Sequence, residues 1–327
     1  PRFTRTSSKA DLYGQLRSGT DIAFMGGMIK YAIDNELYHK DYVINYTNAP
    51  FILKKDYKFD DGLFSGYDEA TRSYDKTKWA FETNEDGTPK EDKTLKNPRC
   101  VFQLMKKHYD RYDVDTVTSV TGTDKDMYLK ICETFCSTGE VGKSGTIMYA
   151  MGTTQHTVGT QNVRGFAIIQ LLLGNVGLPG GGVNAMRGES NVQGSTDFAL
   201  LYHQLPGYIG APTASAKHVT LKDYNENETP AAGYWSNKPK FLVSTLKAFY
   251  GDNATKSNDF LYDYLPKSSK NHSHINLFNY MYNGDIEGAF LFGQNPVVGG
   301  PNAGKEKEAL GNLKWMVAVD LWETETS

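Results

Sequence analysis

The chain has 327 residues, of which 39% are hydrophobic and 22% charged, and its formal net charge is −3. This length suits about two domains of ~100–200 residues each, with enough apolar side chains for a substantial core. The 35 basic and 38 acidic residues are interleaved, which argues against a nucleic-acid-binding protein that works through a basic field. No apolar run reaches the ~18–20 residues of a membrane helix, and no segment has the pattern of a signal peptide.

Helical spacing of apolar residues predicts a first helix over Ile22–Asn35, after a Ser/Thr/Asp cluster typical of an N-cap. Residues 55–98 lose this periodicity and are predicted as a surface insertion with a hairpin turn at Glu85–Gly87. Residues 212–272 are polar and are predicted as a long excursion. Apolar residues recur at helical spacing in five further segments, which are predicted to be helices: Cys100–Tyr109, Thr123–Ser137, Gly159–Leu173, Lys240–Tyr250 and Lys305–Asn312.

Three short apolar runs predict buried strands: Gly145–Met151, Ala289–Phe292 and Trp315–Val319. These strands alternate with helices, so the pattern predicts an α/β fold with parallel sheet. The three cysteines fit neither an even disulfide set nor a CxxC metal motif. We therefore expect them to be buried as small apolar residues: Cys100, Cys132 and Cys136.

The segment richest in potential chemistry is Tyr149–Gly194, which combines a loop after a predicted strand, at Met151–His156, with a glycine cluster. Ligands of open α/β sheets bind beyond the carboxyl ends of the strands, and glycines let backbone approach a ligand closely. Asn and Gln amides suit the edge of a heteroaromatic ligand. The spacing matches neither GxGxxG nor the P-loop, so a cofactor site and ordinary tight turns both remain open.

Arg187 stands among small and amide residues, with no charged residue before it as far back as Arg164. Its guanidinium suits a carboxylate or phosphate ligand. The alternative is a structural ion pair with Glu189 or Asp197. His156 is a lone histidine, which more often packs or hydrogen-bonds than acts as a base. No carboxylate pair, HExxH motif or Ser-His-Asp arrangement stands out, so a reactive group would come from a cofactor or from outside this chain.

Four sequence segments are recognisable, and they occur in this order along the chain: PRFTRTSSKADLYGQLRSGTDIAF, YAMGTTQHTVGTQNVR, GNVGLPGGGVNAMRGESNVQGSTD and FGQNP. They resemble consecutive blocks of the molybdopterin oxidoreductase family, and most closely the large (alpha) subunit of periplasmic respiratory formate dehydrogenases. The resemblance runs nearly end to end, including the insertion around Asp60–Lys96 and the LPGY at Leu205–Tyr208. Because the chain opens on Pro1 without a methionine and closes on Ser327 after a strand-like run, we interpret it as an internal fragment.

The resemblance implies portions of two Rossmann-like parallel-sheet α/β domains of the DMSO reductase/formate dehydrogenase type. Residues 1–189 would belong to one dinucleotide-binding domain, with the insertion near 55–98. Residues 190–327 would belong to a second, with the excursion near 212–272. In the intact enzyme the two domains would hold two molybdopterin guanine dinucleotides that carry tungsten or molybdenum.

The matched motifs imply these cofactor-binding positions: Gly19, Thr20, Asp21, Met151, Gly152, Gln155, Gln294, Asn295 and Asp320. The first three would contact a guanosine end, with the Asp21 carboxylate accepting hydrogen bonds from guanine. The next three would lie at the pterin near the metal, and the last three would hold the other nucleotide. Arg187 falls on the family's active-site arginine and would orient the formate carboxylate. No residue of this chain is assigned as a metal ligand.

The implied activity is oxidation of formate to carbon dioxide and two electrons during anaerobic respiration in the periplasm. A 4Fe-4S cluster and a selenocysteine or cysteine metal ligand would lie in sequence outside this chain, which by itself is expected to be inactive. Electrons would pass to an iron–sulfur electron-transfer subunit; no nucleic acid and no direct membrane segment are implied. Two alternatives stay open: another molybdopterin oxidoreductase that reduces nitrate or a sulfur compound, and a non-catalytic nucleotide-binding module.

Overall fold

A computed structural model describes residues 2–189, 191–230 and 233–327. The chain divides into two compact units, Pro1–Ser190 and Asn191–Ser327. That each unit is part of a dinucleotide-binding domain stays a prediction. Within the described residues, no helix is both long enough and apolar enough to cross a membrane.

The first unit is mainly helical, and its described residues contain one pair of parallel strands. Its helices are α1 (Asp21–Asp34), α2 (Lys40–Tyr46), α3 (Val101–Tyr109), α4 (Val114–Thr121), α5 (Lys125–Cys136), α6 (Met151–Thr154) and α7 (Gly159–Leu172). Its strands are β1 (Phe59–Asp60), β2 (Leu63–Phe64), β3 (Tyr67–Asp68), β4 (Ser73–Tyr74), β5 (Thr146–Tyr149) and β6 (Gly182–Ala185). The predicted helices in this unit are confirmed, with ends that shift by one or two residues.

The core of the first unit forms around α1, which packs on α3, α4, α5 and α7. One face of α1 is buried because Met25, Ile29, Ala32 and Ile33 recur at helical spacing. All three cysteines are fully buried and free, as predicted. Burial raises the pKa of the Cys132 thiol to about 12, which keeps this thiol protonated and unreactive at neutral pH.

Strands β5 and β6 run parallel, with Thr146 opposite Gly182 and Tyr149 opposite Ala185. Helix α7 holds this pair through the buried side chain of Gln170, whose Nε2 donates to the carbonyl of Gly145 over 2.9 Å and to that of Gly182 over 2.6 Å. Two carbonyls next to the strand pair are thereby satisfied inside the unit. The predicted strand over Gly145–Met151 is too long, because the chain turns into α6 at Met151.

The insertion consists of short antiparallel pairs, β1 with β2 and β3 with β4. The predicted hairpin turn is confirmed: Thr83 pairs with Pro89, and Asn84 N–H donates to the Thr88 carbonyl over 2.8 Å. Gly87 takes a φ of +83° in this turn, a conformation that glycine adopts without the strain of a side chain. The sequence signal of Asp before Gly therefore identified the turn correctly.

The second unit carries its own parallel pair. Its helices are α8 (Val192–Asp197), α9 (Leu221–Glu228), α10 (Lys238–Tyr250), α11 (His274–Tyr282), α12 (Pro296–Gly299) and α13 (Ala303–Gly311). Its strands are β7 (Gln204–Leu205), β8 (Ile209–Gly210), β9 (Gly288–Phe292) and β10 (Trp315–Val319). Helices α9 and α10 belong to the predicted excursion and enclose a separate apolar cluster around Tyr224, Leu242 and Tyr262.

The strand pair β9–β10 has one covered and one exposed face. Leu291 is buried against α11 and α13, near Phe278 and Ala309. The opposite side of the pair exposes large apolar side chains, namely Phe290, Phe292, Trp315, Val317 and Val319. Every sheet within the described residues has two strands. The α/β character is therefore present, whereas a full Rossmann-type sheet is not formed by these residues.

Candidate functional site

The carboxyl ends of β5 and β6 lie side by side in the first unit. Tyr149 and Ala185, the last residues of the two strands, are paired, and Met186 N–H donates to the Tyr149 carbonyl over 2.7 Å. The chain reaches Met151 just beyond β5 and Arg187 just beyond β6. A Cβ placed on Gly188 would lie 3.6 Å from Met151 Cε. The structure thus brings Met151 and the backbone next to Arg187 together at one sheet edge.

Helix α6 turns the predicted pterin contacts toward solvent. Met151 is 57% exposed, and its sulfur lies 3.3 Å from Gln155 Nε2. Gly152 is exposed too, and a Cβ there would meet no atom within 4 Å. These three residues therefore form one accessible surface at the end of β5, which is where a ligand of an α/β sheet binds.

A second turn lies beside this surface. Gly19 has a φ of +81°, and a Cβ placed on it would lie 3.9 Å from His156 Nδ1. His156 lies two residues beyond the end of α6 and is half-buried. The turn Gly19–Asp21, predicted to contact a guanosine, is therefore adjacent to the turn predicted to contact a pterin.

The N-terminus of α1 has free backbone donors at this place. Thr20 Oγ1 makes no capping hydrogen bond to α1 and donates to the Arg17 carbonyl over 2.7 Å. Within the described part of the chain, the N–H groups of Asp21 and Ile22 have no acceptor. Unsatisfied N–H groups and the helix dipole favour an anionic ligand such as a phosphate. The α7 N-terminus, a few residues beyond His156, also has no side-chain cap.

Arg187 is exposed, and no charged partner meets it among the described residues of its unit. Among the described residues before Asn191, no carboxylate forms an ion pair with its guanidinium, Glu189 included. The structural ion pair with Glu189, considered from the sequence, is therefore not formed. An unpaired guanidinium beside an open surface is available for a carboxylate or phosphate ligand.

In the second unit, the predicted residues also meet at the ends of parallel strands. Gly293 N–H donates to the Val319 carbonyl over 2.9 Å, so Gln294 and Asp320 both leave the pair β9–β10 at one edge, and both are exposed. Asn295 differs, because both the nitrogen and the oxygen of its side-chain amide form hydrogen bonds within the unit. Its Nδ2 donates to Glu325 Oε2 and its Oδ1 accepts from Thr326 Oγ1, each over 2.7 Å.

Sequence reasoning left one buried polar residue of this region unassigned. Asn162 is fully buried on α7, and its Nδ2 donates to the Thr153 carbonyl of α6 over 3.0 Å. Its Oδ1 has no hydrogen-bond partner within the described residues. The signal was present in the sequence, since Asn162 shares a helical face with the apolar Phe166 and Ile169.

A cavity of about 700 Å³ lies elsewhere in the first unit, among α1, α3, α7 and the insertion. Its walls are mainly apolar and aromatic, for example Met25, Trp79 and Tyr112. None of the residues predicted to bind the cofactor lines it. Within the described residues, no group of three or more His, Cys, Asp or Glu side chains is arranged to hold a metal ion.

The geometry defines an α/β segment with exposed surfaces at the ends of parallel strands, and comparison with known proteins identifies its family. Residues 100–327 match the model of the family described as molybdopterin oxidoreductase. The chain belongs to the molybdopterin oxidoreductase family.

Similar proteins are alpha subunits of formate dehydrogenases. All of this chain aligns at 53% identity with 33% of formate dehydrogenase 2 subunit alpha (cytochrome c-553) from Nitratidesulfovibrio vulgaris. It aligns at 54% identity with 32% of formate dehydrogenase subunit alpha from Megalodesulfovibrio gigas. An assimilatory nitrate reductase catalytic subunit from Bacillus subtilis is 26% identical. The chain thus spans about a third of these relatives. Acetylene hydratase from Pelobacter acetylenicus matches at TM-score 0.48 and 17% identity, over 100% of this chain and 34% of that one.

Proposed function

We propose that this chain is part of the catalytic subunit of a formate dehydrogenase that oxidises formate to carbon dioxide and two electrons. The observation that carries the proposal is that Arg187 is exposed at the same strand ends as Met151, with no carboxylate partner among the described residues of its unit. Formate is a small carboxylate, and a guanidinium binds a carboxylate through two parallel hydrogen bonds. The identity with formate dehydrogenase alpha subunits over the whole chain supports the same substrate.

The residues present fit a pterin guanine dinucleotide. The unsatisfied N–H groups of Asp21 and Ile22 suit phosphate, and the Asp21 carboxylate can accept hydrogen bonds from guanine. The open surface at Met151, Gly152 and Gln155 offers a thioether, free space over a glycine, and an amide with donor and acceptor. Gln294 and Asp320 would serve a second nucleotide in the other unit. Asn295 would have to exchange its contacts with Glu325 and Thr326 before it could join them.

The metal held by the pterins would supply the redox chemistry when bound. The contribution of this chain is binding and orientation. Arg187 would neutralise the formate carboxylate and fix its direction through charge-assisted hydrogen bonds, a positioning role. Gln170 of α7 would help to hold the strand pair in register, because its two carbonyl contacts join the starts of β5 and β6.

The remaining parts of the proposal concern sequence outside this chain. The full-length subunit would carry two molybdopterin guanine dinucleotides with tungsten or molybdenum, a selenocysteine or cysteine metal ligand, and a 4Fe-4S cluster. It would pass electrons to an iron–sulfur subunit in the periplasm. These statements rest on the resemblance to formate dehydrogenase alpha subunits.

The proposal is tested with the full-length subunit that contains this chain. We expect formate to drive reduction of a viologen dye, and nitrate to give only background oxidation of the reduced dye. Nitrate turnover without formate turnover would favour the second family activity. If the subunit binds a guanine nucleotide but turns over neither substrate, the non-catalytic module is the better description.

A further inference from the structure

Two side chains that are not assigned to the ligand hold the backbone of α6. His156 Nε2 lies 2.8 Å from the Gly152 carbonyl oxygen, and Asn162 Nδ2 donates to the Thr153 carbonyl over 3.0 Å. Both carbonyls belong to the short helix that carries Met151 and Gly152. A helix of one turn has almost no hydrogen bonds of its own, so its orientation depends on outside contacts of this kind.

The histidine contact defines a tautomer. A carbonyl oxygen only accepts hydrogen bonds, so His156 Nε2 must carry the proton that it donates to Gly152. Nδ1 then faces the turn at Gly19, where it lies 3.9 Å from the position of a Cβ. One imidazole ring therefore lies between the turn predicted to contact guanosine and the turn predicted to contact the pterin.

The asparagine contact is formed inside the core. Asn162 is fully buried, and its Oδ1 is one of the polar atoms without a partner within the described residues. An unsatisfied buried acceptor is costly, and an apolar residue of similar size would avoid that cost. The hydrogen bond from Nδ2 to the Thr153 carbonyl of α6 explains why a polar side chain occupies this buried position. Glycine at position 159 allows α7 to begin this close to α6, because a Cβ there would overlap the Thr154 carbonyl.

We propose that His156 and Asn162 are positioning residues of the cofactor site. They fix the carbonyls of Gly152 and Thr153, and thereby the direction in which Met151 and Gln155 face the ligand. The proposal rests on the proposed function, since it takes the α6 surface to be the pterin contact. Neither residue touches the reacting atoms; each acts through α6.

The test uses the full-length subunit with three variants. His156→Phe keeps a ring but removes the donor, and His156→Gln places an amide N–H where Nε2 was. Asn162→Asp keeps the shape of the side chain but turns an oxygen toward the Thr153 carbonyl. Pterin and guanine nucleotide are released from the folded, gel-filtered subunit and quantified per polypeptide, and the spectrum of the reduced metal centre is recorded by electron paramagnetic resonance.

We expect His156→Phe and Asn162→Asp to lower pterin affinity by about 10-fold or more, the usual size of an outer-shell effect. The paramagnetic spectrum of the remaining loaded fraction should shift. His156→Gln should restore both readouts toward wild type. Wild-type pterin content and spectrum in His156→Phe and Asn162→Asp would overturn the proposal, and so would equal losses in His156→Gln and His156→Phe. A loaded wild-type subunit that fails to oxidise formate would contradict the proposed function alone.

Discussion

Replacing Arg187 by Lys in the full-length subunit is expected to lower kcat/KM for formate by about 100-fold, the effect of losing one well-placed electrostatic contact. Lysine keeps the positive charge but loses the planar guanidinium that binds both carboxylate oxygens. Charge alone would still attract formate, so the larger loss should fall on kcat, which depends on orientation. Steady-state kinetics with a viologen acceptor measure both parameters.

Arg164→Lys is the matched control, because Arg164 lies on α7 in the same unit and outside the predicted site. Arg164 is exposed, and its replacement is expected to leave formate kinetics within about twofold, as surface substitutions usually do. Near-normal kinetics in Arg187→Lys would remove Arg187 from the substrate site. Equal losses in both variants would point to a general effect of arginine replacement.

Replacing Gly27 by Ala is expected to destabilise α1 locally by about 2 kcal/mol, within the range for overpacked cores. A Cβ on Gly27 would lie 2.7 Å from Val117 Cγ2 and closer still to the Tyr128 hydroxyl. That hydroxyl is fixed, because it donates to the Phe24 carbonyl over 2.9 Å. The clash therefore forces either the helix or a buried hydrogen bond to move. The better helix propensity of Ala, worth ~1 kcal/mol, offsets only part of this cost.

Hydrogen–deuterium exchange of the full-length subunit measures this effect locally. A loss of about 2 kcal/mol corresponds to roughly 30-fold faster exchange of protected amides in α1 and α5. Gly165→Ala is the control, since its Cβ would lie 3.4 Å from Met25 Cβ, an ordinary contact. Exchange should stay equal or become slower in that variant. Unchanged exchange in Gly27→Ala would show that α1 is not packed as closely as described.

The sequence predicted well the elements whose signal is local. Apolar spacing located α1 and α7 to within one residue, and the run Trp315–Val319 matches β10. The hydrogen-bond partner that a polar side chain selects was harder to predict. The Ser/Thr/Asp cluster before α1 indicated an N-cap, but Thr20 bonds to Arg17 instead. A threonine hydroxyl can accept from a helix N–H as a cap or donate to a nearby carbonyl, and only the folded geometry decides which bond forms.

The site was predicted unevenly for a related reason. The sequence predicted the strand before Met151 but not its partner β6, so the meeting of Met151 with the backbone beside Arg187 emerged only from the structure. The apolar face around Asn162 indicated its burial, but the carbonyl partners of His156 and Asn162 come from the fold and have no sequence signature. The larger sheet implied by the resemblance depends on pairing beyond each strand pair, and local periodicity carries no information about such partners.

The most direct test of the account is an experimental structure of the full-length, cofactor-loaded subunit with formate or a small anionic analogue bound. We predict guanosine against Gly19–Asp21, a pterin against Met151 and Gln155, and the anion within hydrogen-bonding distance of the Arg187 guanidinium. A structure in which Arg187 pairs with a protein carboxylate, or in which the pterin contacts neither α6 nor the Gly19 turn, would contradict the account.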